Sequence, residues 1–447
     1  MRGRAGSFGA MARAAIQRSR KILANTGWML GERVVQLVAG VFVGIWIARY
    51  LGPEQFGLLN YSVAFVALFL PLFSFGLNHI VTRELLKEPD KEGEIIGTAY
   101  ALRLMMSLTT FGAIWLITSF MHGDAQTRMF IMIVAFASLF DTFAVLQYWF
   151  GARLAYRWIT IANCSALLIC SAVRIVLILV EAPLVWFVVA TASDVALGGL
   201  FGLWAYLHLG NRLSSWSVTF GRAKRLLYYA WPLIFSSVLA TINLKIDQVM
   251  IGDMLGDREV GIYSTAAKLS EIWYFVPIAI ATSLMPSLIA SRDRSAKEYG
   301  ERLQLSLDIL ATIAYALAIF VAIFAHQIIY ILYGPAYADA GLILSLHIWG
   351  GIFVFMRAIL SKWLIIEDLL IYSLVTHGMG ALLNVLLNLW AIPAYGILGA
   401  TVATLISYAA SSYLTLLFSP TTRAMAWKMT IALAAPVRLP IMLVRKL

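Results

Sequence analysis

The sequence predicts an all-α polytopic membrane protein with about twelve transmembrane helices in two six-helix lobes. Its 447 residues are 61% hydrophobic and only 13% charged, whereas a soluble domain carries about 25% charged residues. A helix needs roughly 20 apolar residues to cross a bilayer, and blocks of about that length follow one another along the chain. The predicted spans are 28–48, 57–80, 95–120, 129–150, 158–180, 184–208, 228–252, 262–290, 303–325, 340–361, 369–391 and 398–419.

The distribution of basic residues predicts the orientation of the chain, because Lys and Arg concentrate in short cytoplasmic loops. If the N-terminus is cytoplasmic, most of the 34 Lys and Arg residues lie on that side, and the opposite side receives only Arg49, Arg128 and Arg258. We therefore predict that both termini are cytoplasmic. The net charge of +11 then reflects membrane topology, and we expect no nucleic-acid partner.

The spans divide evenly around a basic loop, which predicts a two-lobe organisation. The second half enters the membrane from the same side as the first, as expected for parallel repeats about an axis along the membrane normal. The predicted segments are a basic cytoplasmic N-terminal segment 1–27, an N-lobe 28–208, a basic cytoplasmic linker 209–227, a C-lobe 228–419 and a cytoplasmic tail 420–447. The mixture of Trp427 and other apolar residues with basic residues in the tail suits a helix on the membrane surface, which Pro436 and Pro440 would break.

A short motif supports the repeat. Residues 47–57 and 251–261 both read I-x-x-x-L-G-x-x-x-Φ-G, where Φ is apolar. The pattern indicates a tight turn at the end of one span, with glycine providing unusual backbone angles, followed by immediate entry into the next span. Two other glycine pairs, Gly40 with Gly44 and Gly198 with Gly202, have the spacing that permits close helix packing.

Three runs of residues extend this similarity to a known family. The first two runs, 48–57 and 247–264, lie within longer similar stretches 25–86 and 247–286, and the third is the late run 392–400. With them the chain resembles polysaccharide-exporting flippases of the Wzx type, which belong to the multidrug/oligosaccharidyl-lipid/polysaccharide transporter superfamily (MATE-like).

The resemblance implies a V-shaped pair of lobes in the bacterial inner membrane, surrounded by membrane lipids. Such a protein moves an undecaprenyl-diphosphate-linked oligosaccharide from the cytoplasmic to the outer leaflet by alternating access, for export of surface polysaccharide such as O-antigen or exopolysaccharide. It implies a protein that functions as a monomer, and leaves open whether a polysaccharide polymerase acts beside it. The identity of the glycan stays open.

Basic residues inside the predicted spans are candidates for binding the diphosphate. Inserting a charge near the bilayer centre costs about 3 kcal/mol on insertion scales, so each basic residue inside a span indicates a functional or structural role. Arg and Lys can bind phosphate oxygens, but they can also form ion pairs between helices or reach towards the membrane surface. We predict Arg33, Arg174, Lys245 and Arg357 as the main diphosphate ligands, and Arg103 and Lys268 as weaker candidates because Arg103 lies near a span end and Lys268 near Glu271.

Acidic residues inside the spans are candidates for coupling to a proton or sodium ion. Asp247 lies one turn after Asn243 on the same helix face, and Glu32 and Gln36 form a similar pair in the first span. The alternative for both is hydrogen bonding that holds a lobe together. The run Thr401, Thr404, Ser407 and Ser411 and the pair Asn384 and Asn388 favour that structural role.

Other classes of protein are less well matched. Cys164 and Cys170 share one predicted span, so they provide no disulfide framework or zinc cluster, and we expect no metal and no cofactor. A glycan polymerase or transferase would need a large loop or an acidic motif that the sequence lacks, so we expect no enzymatic activity. No phosphate-binding Gly-x-x-x-x-Gly-Lys-Ser/Thr motif is present either.

Two transporter alternatives remain. An ion-coupled multidrug or small-molecule antiporter of the same superfamily would have similar hydropathy, but a cavity for cationic drugs favours acids and aromatic rings. A lipid II flippase also carries a diphosphate and typically has additional spans.

Overall fold

The computed structural model describes residues 2–121 and 124–438, and within these ranges it contains helices, turns and no β-strand. Its α-helices are α1 (Arg2–Ala67), α2 (Leu70–Ser74), α3 (Asn78–Lys87), α4 (Glu92–Phe120), α5 (Ala125–Ser138), α6 (Val145–Ala152), α7 (Tyr156–Leu179), α8 (Leu184–His208), α9 (Phe220–Leu255), α10 (Asp257–Glu271), α11 (Phe275–Arg294), α12 (Ala296–Tyr333), α13 (Ala340–His347), α14 (Gly350–Ile366), α15 (Leu370–Ser412) and α16 (Pro420–Leu433). This agrees with the predicted all-α class.

The number of membrane-crossing helices also agrees with the prediction. Ten stretches of the described chain are long and apolar enough to cross a bilayer. Two of these stretches, Gly27–Ala67 and Leu370–Ser412, each contain two helices that meet at a non-helical glycine, Gly52 in the first and Gly396 in the second. Counting these helices separately gives the twelve that the apolar blocks predict.

The helices expose many large apolar side chains on their outer faces. Phe42 is 64% exposed, Trp115 58% and Phe320 58%. Exposed apolar surface on this scale is a contact surface rather than a water-facing one. It is the surface that a lipid environment would cover, so the chain is a multi-pass membrane protein.

The chain forms two compact units. The first comprises residues 1–47 and 69–234. In it α8 packs along both α5 and α7, and a core of buried apolar residues includes Leu146, Phe150 and Tyr206. The rings of Trp149 and Tyr206 meet edge to face, with 5.1 Å between their centroids, which is a favourable aromatic arrangement.

A buried arginine fixes the start of α9 in the first unit. The guanidinium of Arg222 donates to the carboxylates of Glu84 at 3.1 Å, Glu88 at 2.8 Å and Glu94 at 3.3 Å. The hydrogen bonds from Arg222, with a further one from Lys91, lower the pKa of Glu88 from 4.5 to about 2. The ionised Glu88 therefore stabilises the fold above its ordinary pKa, and this contribution is lost as the pH falls towards 2. Part of the predicted linker 209–227 is thus helical and bound to this unit.

The second unit comprises residues 48–68 and 235–447. Its core joins α11, α12, α14 and α16 through buried residues such as Leu307, Phe355 and Met429. Residues 48–68, which the sequence places in the N-lobe, therefore belong to the second compact unit. The predicted boundaries of the lobes otherwise stay predictions.

The predicted surface tail begins with a helix that packs inside the second unit. Met425 and Met429 of α16 are buried, whereas Trp427 is 65% exposed, so α16 buries one face against α12. The apolar residues that favoured a membrane-surface helix are partly core residues. Residues 439–447 of the tail, and the side chains of residues 1–23 in the basic N-terminal segment, lie outside what the structure describes.

Segments that the charge distribution places on the same side of the membrane do meet in the second unit. The Arg49 guanidinium donates to the carbonyl of Ile331 at 2.5 Å. The Tyr337 hydroxyl donates to the carbonyl of Ala48 at 2.7 Å. All four residues belong to helix ends and loops predicted to lie opposite the termini, so these contacts are consistent with the predicted order of spans.

The repeated turn has the same backbone geometry in both copies. Gly52 has φ 71° and ψ 172°, and Gly256 has φ 96° and ψ 176°. Positive φ at these angles is readily available to glycine alone. The prediction that glycine provides unusual backbone angles at both span ends is therefore confirmed.

The two turns also pack reciprocally within the second unit. A Cβ added at Gly57 would overlap the carbonyl oxygen of Asp257, and a Cβ added at Gly261 would overlap the carbonyl oxygen of Pro53. Gly57 corresponds to Gly261 in the repeat, and Pro53 corresponds to Asp257. Each copy therefore provides the glycine against which the turn of the other copy lies.

The glycine spacing of the first span permits close packing, but no described helix packs closely there. Nothing in the described chain lies within 4 Å of the position of a Cβ at Gly40 or Gly44. A Cβ at Gly202 would lie 3.0 Å from the side chain of Ile159, so close approach holds there. Spacing alone cannot indicate which helix face has a neighbour.

We expect Gly57→Ala and Gly261→Ala each to destabilise the described conformation by about 1–3 kcal/mol, because overpacking forces the backbone to shift. Gly44→Ala is the matched control, since its Cβ meets open space and alanine favours a helix by up to about 1 kcal/mol. Thermal unfolding of the purified protein in detergent measures the difference. Equal midpoints for all three variants would contradict the reciprocal contact.

Candidate functional site

Arg103 in α4 is buried within the first unit, where two of its three guanidinium nitrogens form hydrogen bonds and Nε has no partner among the described residues. Its side chain is 1% exposed. One guanidinium nitrogen donates to the Tyr148 hydroxyl at 2.6 Å, and another donates to both the carboxylate and the backbone carbonyl of Asp141, each at 2.6 Å. The side chain therefore joins α4 to the 3₁₀ turn before α6 rather than reaching towards the membrane surface.

Arg174 in α7 is held in the same way. Its guanidinium forms an ion pair with the carboxylate of Asp194 in α8 and donates to the carbonyl of Ala190 at 3.2 Å. Only 8% of the Arg174 side chain is exposed. Arg103 and Arg174, like Arg222, thus each have a carboxylate partner on another element.

Arg33 and the basic residues of α9 and α10 have different surroundings. Arg33 is exposed, and its one contact to Gln36 has a length of 3.5 Å, at the limit for a hydrogen bond. Lys245 forms an ion pair of 3.0 Å with Glu271. Lys268 donates to the amide oxygen of Asn60 at 2.6 Å and lies 4.8 Å above the Phe56 ring.

Arg357 in α14 is the predicted basic residue with the least compensation. One guanidinium nitrogen donates to the Thr376 hydroxyl at 3.0 Å and to the carbonyl of Ser411. Its other two nitrogens are buried and have no hydrogen-bond partner in the part of the chain that is described. A buried charged group with unused donors is costly, and such exceptions concentrate at functional sites.

Asp247 in α9 is a fully buried carboxylate whose donors are all neutral. It accepts from the Asn388 amide at 2.6 Å, the Thr404 hydroxyl at 2.7 Å and the Tyr263 hydroxyl at 3.1 Å. The Asn388 amide also donates to the Asn384 amide oxygen at 2.7 Å. The residues for which the sequence favoured a structural role therefore surround the predicted coupling residue.

Glu32 in α1 has a similar neutral environment in the first unit. It accepts from the Asn163 amide at 2.7 Å, the Thr160 hydroxyl at 3.0 Å and the Gln36 amide at 3.3 Å. Only 9% of Glu32 is exposed. The predicted contact between Glu32 and Gln36 is present, and α7 adds two donors.

A cavity of about 310 Å³ with a mixed polar and apolar wall lies within the first unit. This volume is at the lower end of the range of small-molecule sites, roughly 300–1,000 Å³. The wall of the cavity consists of two carboxylates, three amides, one aromatic ring, three aliphatic side chains and three small residues. These residues are Gln36, Asp141, Phe143, Ala144, Gln147, Ile159, Asn163, Leu167, Asp194, Val195, Gly198 and Gly199.

The predicted site residues are thus distributed over both compact units. Arg33, Arg103, Arg174 and Glu32 lie in the first unit, and Lys245, Lys268, Arg357 and Asp247 lie in the second. The described residues contain no group of three or more His, Cys, Asp or Glu that could hold a metal ion. Cys164 and Cys170 are free thiols.

Sequence reasoning missed several residues that complete these clusters. Tyr263 binds Asp247, while Thr160 and Asn163 bind Glu32. The available sequence signal for such clusters is a polar residue one helical turn from another, as for Asn384 and Asn388. Contacts between distant helices carry no sequence signal of this kind.

The long apolar helices of the described chain, the buried charged clusters within each unit and the cavity of the first unit are typical of a polytopic membrane transporter. A family model described as "polysaccharide biosynthesis protein" matches residues 22–292, which is more than half of the chain. The chain therefore belongs to this family. A model described as MatE matches residues 232–390, so the chain is a MATE-like member of the superfamily that it resembles.

Individual relatives agree with this assignment. A Shigella flexneri protein named for O-antigen transport is 23% identical, over 71% of this chain and 78% of its own length. A Haloferax volcanii protein, Agl15, named as a low-salt glycan biosynthesis flippase, is 24% identical over 83% of this chain and 78% of its own. The inward closed structure of the lipid II flippase MurJ shares the fold, with a TM-score of 0.68, 14% identity and coverage of 95% of this chain and 93% of that one.

We expect Arg103→Leu to lower the free energy of unfolding by about 3 kcal/mol, because it leaves a carboxylate without its buried partner. The double variant Arg103→Leu with Asp141→Leu should lose less than the sum of the two single variants. Denaturant unfolding in detergent measures this coupling, and the exposed Arg33→Leu should change stability by less than about 0.5 kcal/mol. Additive effects would show that the pair contributes no coupling.

Proposed function

We propose that this protein is a flippase that moves an undecaprenyl-diphosphate-linked oligosaccharide from the cytoplasmic to the outer leaflet for export of surface polysaccharide. The family and the names of its relatives support this class of substrate. The observation that carries the proposal is Arg357, a buried cation with two unused guanidinium nitrogens. We assign Arg357 as the main ligand of the diphosphate.

The chemistry of Arg357 suits a diphosphate. A planar guanidinium donates two parallel hydrogen bonds to phosphate oxygens and keeps its charge in an apolar environment. The unused nitrogens are covered in the described conformation, so the substrate reaches them in another conformation of the transport cycle. Occupation by diphosphate would supply the anion that the described conformation lacks.

We assign the other basic residues different roles in substrate binding, according to how strongly each is already paired. Lys245 shares its charge with Glu271 at 3.0 Å and is partly exposed, so it can exchange this partner for a phosphate. Arg103 and Arg174 already hold carboxylates, and we assign them positioning roles. Arg33 is exposed and serves an early or late binding step.

We further propose that transport is coupled to protons or sodium ions through Asp247, with Glu32 as a second site. A buried carboxylate surrounded only by neutral donors is expensive in its ionised form, so it favours taking up a proton or a cation. The Asp247 carboxylate and the Thr404 hydroxyl oxygen are hard ligands of the kind that sodium requires, and the nearby Asn384 and Asn388 side chains carry amide oxygens of the same kind. The related environment of Glu32 could respond to the same ion.

Location and assembly follow from the same proposal. The protein lies in the bacterial inner membrane with both termini in the cytoplasm, where lipid-linked glycans are built. It acts as a monomer without catalysing a reaction, and a polysaccharide polymerase that uses the translocated glycan is its natural partner.

A multidrug or small-molecule antiporter is the second candidate. The MatE match and the buried acids Asp247 and Glu32 favour it, because cationic substrates and ions would bind carboxylates. Arg357 favours the flippase, since an unpaired cation repels a cationic drug.

We expect Arg357→Gln to reduce transbilayer movement of a fluorescent undecaprenyl-diphosphate oligosaccharide about 10-fold or more in proteoliposomes, because charge-assisted hydrogen bonds are lost. Arg212→Gln makes the same change at an exposed position with no proposed binding role and should retain most of the activity. Equal reduction in both variants at matched folded protein would argue against a specific role of Arg357.

We expect Asp247→Asn to abolish the dependence of movement on a proton or sodium gradient, because the amide can keep hydrogen bonds but cannot take up a cation. Rates with and without each gradient measure the effect, and Glu32→Gln tests the second site. Asp339→Asn, at a side chain that is 68% exposed, is the control. An unchanged gradient dependence in Asp247→Asn would exclude the residue from coupling.

A further inference from the structure

The cavity of the first unit presents carboxylates, whereas the arginines that neutralise them are withdrawn from it. The Asp141 and Asp194 side chains line the cavity and are 31% and 28% exposed. Their partners Arg103 and Arg174 are 1% and 8% exposed and are not part of the wall. A ligand in the cavity therefore lies beside the acidic member of each pair. The Oδ1 atom of Asp194 is buried without a partner among the described residues, so Asp141 offers the more accessible carboxylate.

The amides of the wall also offer acceptors. The Asn163 amide nitrogen is used by Glu32, and its oxygen lies 3.5 Å from the position of a Cβ at Gly198, on the cavity wall. Gln147 lines the cavity and makes no side-chain hydrogen bond to any described residue. Its amide therefore provides an acceptor and two donors for a ligand.

This surface is complementary to a ligand rich in hydrogen-bond donors. A diphosphate contains only acceptors in its ionised form and would face two carboxylates here. Sugar hydroxyl groups donate to carboxylate and amide oxygens and accept from amide nitrogens. Phe143, Leu167 and Val195 add the apolar wall that small-molecule sites normally have.

We infer that the cavity of the first unit binds the sugar portion of the substrate, through Asp141, Asp194, Asn163 and Gln147. This inference rests on the proposed flippase function and deepens it. The first unit then recognises hydroxyl groups of the glycan. Glycan selectivity is then a property of the first unit, and variation of the cavity wall changes the accepted sugar.

Binding of two kinds of lipid to the full-length protein in nanodiscs tests the inference. One probe is undecaprenyl diphosphate without a sugar, and the others are undecaprenyl diphosphates that carry N-acetylglucosamine, glucose or galactose. The measured quantity is the ratio of affinities for the best sugar-bearing lipid and the bare lipid. Transbilayer movement of the same sugar-bearing lipids is measured in parallel, so that failure of the proposed function is seen separately.

Two variants alter the cavity by different means. Gly198→Leu fills it, since a Cβ at Gly198 makes only an ordinary contact of 3.5 Å, and Gly44→Leu is its control at an open helix position. Gln147→Leu removes an amide of similar size, and the exposed Gln327→Leu is its control. Gln147 has no structural hydrogen bond to lose, so this variant remains informative if Gly198→Leu fails to fold.

We expect the unaltered protein to bind a sugar-bearing lipid more tightly than the bare lipid. Both Gly198→Leu and Gln147→Leu should reduce this preference, and the loss of one hydrogen bond in Gln147→Leu corresponds to a reduction of about 3- to 10-fold. Affinity for the bare lipid should stay unchanged. Three results would overturn the inference: no preference in the unaltered protein, an unchanged preference in the variants, or equal loss of affinity for both kinds of lipid. Loss of sodium binding in the variants with an intact sugar preference would instead assign the cavity to a cation.

Discussion

The structure depends on one constraint, which is that a charge buried among membrane helices must be compensated. Arg103 and Arg174 satisfy it with carboxylates on neighbouring elements, and Arg222 satisfies it with three glutamates at once. Apolar packing alone would not fix how neighbouring helices align with one another. These ion pairs fix that alignment. Because breaking such a pair strands a charge, each pair also restricts which helix arrangements are possible.

The exceptions to this constraint are the informative places. Arg357 retains unused guanidinium nitrogens, and Asp247 and Glu32 accept only from neutral groups. A buried cation without a partner is stabilised by binding an anion. A buried carboxylate without a charged partner is stabilised by binding a proton or a cation. A transporter that binds a diphosphate and couples its movement to ions needs both kinds of group, and the described chain contains both.

Much of the fold could be predicted from the sequence, because the membrane requires long apolar helices and the repeat requires glycine at its turns. Gly52 and Gly256 have the predicted geometry. The packing at Gly40 and Gly44 could not be predicted, since it depends on whether a neighbour is present. The partners of the charged residues were equally hidden, because Arg103 and Asp141 lie 38 residues apart on different elements. The sequence therefore indicated which residues are costly to bury, and the structure distinguished those that are compensated.

The most direct test of the flippase account is transbilayer movement of fluorescent undecaprenyl-diphosphate oligosaccharides by the unaltered protein in proteoliposomes, measured beside uptake of a cationic dye. The account predicts movement of at least one lipid-linked glycan and no gradient-driven dye uptake. Absence of movement across several glycans, together with proton- or sodium-driven dye uptake, would contradict it and identify a drug antiporter.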